Sequence, residues 1–154
     1  HPALWQIDYS WEGFQWIVPD DSSQNVVVFL RRDKKGGEVI AVCNFAPVLR
    51  PDYKFGVPRA GQYAELINSD AEEFGGTGQH NAPVRAKKQP MHGFDYSISL
   101  RVPPMSAVIL RTPAAKPAKA DGPAPKKAAA RGARAKPARK TAARKTTGKQ
   151  AKDA

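Results

Sequence analysis

The chain of 154 residues carries 25 Lys and Arg against 14 Asp and Glu, a net charge of +11 that first suggests a polyanionic partner such as nucleic acid. The excess is segregated: residues 1–112 hold 12 basic and 12 acidic side chains, whereas residues 113–154 hold 13 basic and 2 acidic. Those last 42 residues contain 15 Ala, 5 Pro and 3 Gly but no Val, Ile, Leu, Met, Phe, Tyr or Trp, so nothing in them offsets the entropy of ordering and a disordered tail is expected. The first 112 residues suffice for one small domain burying roughly 60 to 70% of its unfolded surface, which excludes a second globular unit within this sequence. A single cysteine, Cys43, excludes an internal disulfide framework and, without a CxxC pair, argues against structural zinc. No run reaches the ~18 apolar residues of a membrane span, and the first twenty residues do not resemble a signal peptide. A soluble, cytoplasmic protein without cofactor or membrane partner is expected.

Residues 1–20 mix Leu4, Trp5, Ile7, Trp11, Phe14, Trp16 and Ile17 with polar residues at no sustained period and read as an irregular aromatic segment. Its aromatic density is high for a free terminus, so it is expected to pack on the following domain or on an upstream one. Because the chain opens on His1 rather than Met, it reads as a piece of something longer. Short strands follow. Val26–Leu30 and Glu38–Phe45 flank a turn carrying Asp33, Gly36 and Gly37, as in a hairpin, and the second is apolar almost throughout, as a central strand would be. Tyr53–Val57 and Gln62–Asn68, joined by Pro58–Gly61, read as another pair. Residues 69–94 form an irregular stretch too long for an ordinary connection and are expected to have a functional or docking role. Asp95–Val102 alternates, with Tyr96, Ile98, Leu100 and Val102 on one face, and pairs in sequence with Ser106–Thr112 beyond Pro103–Pro104. About six to eight short strands without an amphipathic helix predict an all-β fold, an antiparallel β-sandwich with Greek-key links.

Chemistry-bearing residues are sparse. The adjacent acids Asp20–Asp21 and Glu72–Glu73 would point to opposite faces of a strand or out of a turn, so they form no acid/base dyad. His1, His80 and His92 lack metal-ligand spacing. Gly75–Gly78 lacks the Lys and Ser/Thr of a phosphate loop. Cys43 lies in an apolar strand and reads as a buried thiol, and the basic hairpin tip Arg31, Arg32, Lys34, Lys35 as a solvated edge. Aromatic rings can stack on the apolar face of a pyranose, which makes Trp5, Trp11, Trp16 and Tyr63 carbohydrate-binding candidates against a default of core or interface packing. No catalytic, cofactor or metal residue is assigned.

The words EGFQWI, a strand ending FLRR, VCNFAPV, YKFGVP, ELINSDA with its Gly-rich turn and YSISLRVPPMSAVIL occur in this order over about Pro2 to Leu110. This series resembles the C-terminal β-domain of bacterial 1,4-alpha-glucan (glycogen) branching enzymes of the alpha-amylase superfamily. The resemblance implies a parent reaction in which an α-1,4 linkage is cleaved and the segment transferred to a C6 hydroxyl, by two carboxyls on a (β/α)8 barrel. None of the barrel's motifs is present, so this chain is expected to be inactive alone. The organisation implied is a junction with an upstream catalytic barrel over residues 1–20, a β-sandwich over 21–112, and the tail over 113–154. The barrel, and α-glucan through it, are the implied partners. Trp5, Trp11, Phe14 and Trp16 would pack at the junction, and a free fragment would be sticky there. The tail departs from the family and resembles Lys/Ala/Pro-rich histone-type tails that bind phosphate polyanions without sequence readout. Two alternatives remain open: a nucleic-acid-associated protein acting through that tail, and a standalone carbohydrate-binding module.

Overall fold

The computed structural model describes residues 1–114; the tail expectation lies outside them. Two 3-10 turns, Pro2–Leu4 and Trp11–Gly13, lead into eight strands: β1 (Phe14–Asp21), β2 (Val26–Arg32), β3 (Glu38–Asn44), β4 (Arg50–Val57), β5 (Gln62–Asn68), β6 (Val84–Arg85), β7 (Tyr96–Val102) and β8 (Ser106–Arg111). They form a six-stranded sheet in the order β1-β2-β3-β8-β5-β6 and a two-stranded sheet of β4 and β7. All pairings are antiparallel. The fold is the antiparallel β-sandwich expected from the strand pattern.

Side-chain alternation puts one face of each sheet into a common core. Val28 and Leu30 of β2, Ile40 and Val42 of β3, and Val108 and Leu110 of β8 pack with Tyr53, Phe55 and Val57 of β4 and Ile98, Leu100 and Val102 of β7. Each such side chain contributes roughly 1.5 to 3 kcal/mol through burial.

Turn chemistry determines where strands end. Asp33 Oδ1 accepts the amide protons of Lys35 at 2.8 Å and Gly37 at 2.7 Å, closing the β2–β3 hairpin with Gly36 at φ 79. That left-handed conformation favours a residue without Cβ. Buried Asn44 donates to the carbonyls of Val48 (2.9 Å) and Pro103 (2.8 Å). It thereby ties the β3–β4 connection to the β7–β8 connection, both of which cross between sheets.

Three expectations are corrected. Residues 14–21 are not irregular: they form β1, paired with β2. The register shifts between Trp16 and Val18 and again between Val18 and Asp21, which puts consecutive Ile17 and Val18 in the core and hides the period of two. β4 does not pair with β5, nor β7 with β8: β4 pairs with β7, while β5 and β8 pair in the other sheet. Both short connections therefore cross the sandwich. Within 69–94, a 3-10 turn at Glu72–Phe74, strand β6 and a Lys87–Ser97 bridge replace the structureless loop.

Candidate functional site

The outward face of the six-stranded sheet carries one of the aromatic candidates, Trp16. Opposed residues of an antiparallel pair share a face, and the register places Trp16 opposite Phe29, Phe29 opposite Ala41, Ala41 opposite Ile109 and Ile109 opposite Ile67. One apolar row therefore crosses β1, β2, β3, β8 and β5. At its β1 end, Phe14, Trp16 and Phe29 form a ring cluster. The Phe14 and Phe29 rings stack with centroids 5.4 Å apart, and Trp16 stands edge-on to Phe14 at 4.9 Å and to Phe29 at 6.0 Å. The Arg31 guanidinium lies 5.9 Å from the Phe14 centroid, within cation–π range.

Residues preceding β1 come back over this sheet. Ala3 is fully buried, and Arg31 donates to the carbonyls of Ala3 (3.5 Å) and Leu4 (3.3 Å). The Lys34 amide donates to Gln6 Oε1 at 3.2 Å. The sheet thus holds the N-terminal segment by polar contacts, while most of that segment's large rings face outward.

Of the carbohydrate candidates, Trp5 and Trp11 are 62% and 83% exposed, Trp16 is 50% exposed, and Tyr63 is 1% exposed. Tyr63 is thereby corrected. A ring enclosed in the core offers no face to a sugar, and its hydroxyl closes the β4–β5 connection by donating to the Arg59 carbonyl at 2.9 Å. Burial pushes its hydroxyl up to about 12. Trp16 belongs to the ring cluster, whereas Trp5 and Trp11 have no ring partner among the described residues. Sequence reasoning missed Phe29 as a surface aromatic. Its signal was present: with Val28 and Leu30 inward, a period of two places Phe29 on the outside.

The polar clusters are structural in geometry. Asp70 accepts from the Thr77 hydroxyl (2.6 Å), the Thr77 amide (3.1 Å) and the Gln79 amide (3.2 Å), folding the Gly75–Gly78 segment into a closed turn. The Thr77 hydroxyl and amide bonds, with help from Gln79 and His80 against a partial desolvation cost, hold the Asp70 carboxyl below its ordinary value. Glu65 binds Asn81 and lies 3.6 Å from His80. Glu38 is paired with Arg32 at 2.8 Å and with Arg59 at 2.9 Å, joining β2, β3 and the β4–β5 connection. Cys43 is partly buried and burial raises its pKa, which disfavours the thiolate. Among the described residues no group of three or more His, Cys, Asp or Glu is arranged to hold a metal ion, and no helix is long and apolar enough to cross a membrane.

The described residues form an antiparallel all-β sandwich domain with an aromatic cluster on the outer face of its larger sheet. Residues 16–113 match the family described as alpha amylase, C-terminal all-beta domain, and the chain belongs to that family. It is similar to the 1,4-alpha-glucan branching enzymes GlgB of Francisella philomiragia (48% identity), Aquifex aeolicus (46%) and Halothermothrix orenii (42%), in each case over 111 residues. Those residues are 71% of this chain but only 17 to 18% of the relatives, so the chain spans less than a fifth of their length.

Proposed function

We propose that this chain is the noncatalytic C-terminal β-domain of a glycogen branching enzyme, whose parent reaction cleaves an α-1,4-glucan and rejoins the segment to a C6 hydroxyl as an α-1,6 branch. The 42 to 48% identity to branching enzymes over 111 residues carries the reading. Four of the described carboxylates support it from the other side. Asp21, Asp70, Glu38 and Glu65 are each engaged in turn, strand or loop contacts, which suits a stabilising part rather than a glycosyl-transfer centre. The domain acts by stabilising the catalytic barrel, with α-glucan as the substrate of the whole enzyme. Exposed Trp5 and Trp11 favour a subsidiary role in holding glucan.

The test is to incubate the 154-residue chain with amylose and measure new α-1,6 linkages, alongside co-sedimentation with glycogen. No branching is expected. Branching by this chain alone would overturn the noncatalytic reading. Loss of co-sedimentation in W5A and W11A would support the subsidiary role, and glycogen binding unaffected by either substitution would remove it.

A further inference from the structure

The inward face of the two-stranded sheet is taken up by the core, through Phe55 and Val57 of β4 and Ile98 and Leu100 of β7. Alternation turns Lys54, Ser97 and Ser99 to the other side, and the register sets Lys54 directly opposite Ser99. The segment after β6 widens this outer face. The Lys87 amide donates to the Ser97 carbonyl at 2.9 Å, and the Ser97 amide to the Lys87 carbonyl at 3.0 Å. Opposed residues share a face, so Lys87 joins Lys54 and the two serines, with Arg85 one period of two earlier. These five side chains and Gln89 line a cavity of about 240 Å³ whose lining holds no Asp or Glu. Lys54, Arg85 and Lys87 take part in none of the ion pairs among the described residues. Ser97 is 5% exposed, and Ser99 Oγ is buried without a hydrogen-bond partner among the described residues.

We propose that this cavity binds a small phosphate-class anion, either inorganic phosphate or the phosphoryl group of a phosphomonoester. Scattered surface lysines are ordinarily solvated and need no ligand. Here three cations border the same cavity as a hydroxyl that the fold leaves unpaired. Such a hydroxyl costs stability until an acceptor reaches it. Each polar side chain of the lining can donate: two ammonium groups, a guanidinium, two hydroxyls and an amide. A phosphoryl group is the matching acceptor, with three oxygens and a charge of about −1.5 to −2 at pH 7. Arg85 offers the planar fork that fits it, and the two lysines add positive charge. A neutral polyol would bring hydroxyl donors to a rim without a carboxylate to accept them. The volume lies below the roughly 300 to 1,000 Å³ of drug-sized ligand pockets, which limits the occupant to a small molecule. The larger cavity of about 730 Å³ beside Arg50 is also lined by Asp20, Asp21 and Asp52, whose charge opposes an anion. The inference stands apart from the branching-enzyme reading, since it uses only the outer side of the β4–β7 sheet and residues 84–89.

The test is an NMR titration of the 154-residue chain at low ionic strength with inorganic phosphate, glucose 6-phosphate and glucose. The unmodified chain is compared with K54Q, K87Q, S99A and, at the β2–β3 hairpin tip, K34Q. Both phosphates should shift the Lys87, Ser97 and Ser99 amides in a saturable way, and glucose should not. K54Q and K87Q should each weaken binding by about fivefold or more, and S99A by about tenfold. K34Q should bind like the unmodified chain. S99A separates recognition from folding, because deleting an unpaired buried hydroxyl should leave the melting temperature of the free chain unchanged or raise it. Lys54 and Lys87 are exposed, so K54Q and K87Q test the site on a folded chain in any case. Phosphate bound at least as tightly as glucose 6-phosphate assigns the site to the phosphoryl group alone, and tighter glucose 6-phosphate assigns it to a sugar phosphate; either result upholds it. Glucose bound as tightly as glucose 6-phosphate overturns the anion site. Absence of binding by either phosphate at millimolar concentration also overturns it. So does binding that K54Q, K87Q and S99A all leave intact, which would mean an adventitious ion only, held by cations elsewhere in the chain.

Discussion

Tyr53 donates its hydroxyl proton to Asp21 Oδ2 at 2.9 Å, joining the middle of β4 in one sheet to the end of β1 in the other. The Asp21 carboxylate also receives the Ser23 hydroxyl at 2.8 Å and the Gln24 amide at 3.1 Å, so one side chain both shapes the β1–β2 turn and links the sheets. Partial burial works against its charge, but the Ser23, Tyr53 and Gln24 hydrogen bonds and the Arg50 charge outweigh this and hold the carboxyl below its ordinary value. Burial, then the bond to Asp21, pushes the Tyr53 hydroxyl well above its ordinary value. Removing the hydroxyl in Tyr53→Phe should cost about 1 to 2 kcal/mol at neutral pH, measured by urea unfolding.

The pH dependence has a defined sign. Asp21 and Asp70 both have carboxyls depressed in the folded state relative to the ordinary 3.8. The unfolded chain therefore binds protons first as pH falls, and the stabilisation these groups supply is complete above that value and lost as pH drops through their folded values. Urea midpoints measured from pH 6 down to pH 2 should fall most steeply below about pH 4, and Asp21→Asn should flatten that fall. A midpoint independent of pH over this range would contradict the assigned hydrogen bonds.

Phe55 is fully buried between the sheets, and Phe55→Ala should cost about 3 to 5 kcal/mol, a large share of the stability of a domain this size. Trp11, larger but 83% exposed, gives the contrast: Trp11→Ala should stay within about 0.5 kcal/mol in the 154-residue chain. Equilibrium unfolding of both variants checks the inside–outside assignment directly.

Gly13 is buried where the N-terminal segment turns into β1, and a Cβ there would collide with the Ile7 backbone carbonyl. Gly13→Ala should therefore loosen residues 1–13 while leaving the core intact. Limited proteolysis is expected to cut this region faster in the variant, by tenfold if the local opening free energy falls by about 1.4 kcal/mol, with the global melting transition preserved.

The tail supplies a separate prediction. With 13 basic and 2 acidic residues in 113–154, the chain should retain DNA weakly and without sequence preference. Engagement of about 6 to 10 phosphates would weaken binding ~10³-fold or more between 50 and 200 mM salt. Binding indifferent to salt, or none, would remove the polyanion reading while leaving the β-domain untouched.

The strands were largely legible because each apolar run is bracketed by turn residues, and Tyr96–Val102 alternates with Ile98, Leu100 and Val102 in the core, although Ser97 on the other face is also buried where Lys87 bridges to it. Strand partners were less so. Pro58–Gly61 and Pro103–Pro104 are turn chemistry that serves a crossing between sheets as well as a hairpin, and no local signal distinguishes the two. β1 was hidden by its bulges, which break the period of two at the point where Ile17 and Val18 both turn inward. Tyr63 and Trp16 are both aromatics that follow a glutamine and precede an apolar residue in sequence. Only the long-range register shows that one closes the core and the other stands on the outer face.

The central proposal is that residues 1–114 are a working C-terminal domain of a branching enzyme, and the most direct measurement is the branching rate of a chimera in which residues 1–114 replace the matching C-terminal segment of the Francisella philomiragia branching enzyme. The account predicts that this chimera forms α-1,6 branches on amylose at a rate comparable to the parent enzyme, and that the parent enzyme lacking its C-terminal segment loses stability and activity together. A soluble, folded chimera without branching activity, beside an active truncated parent, would contradict it.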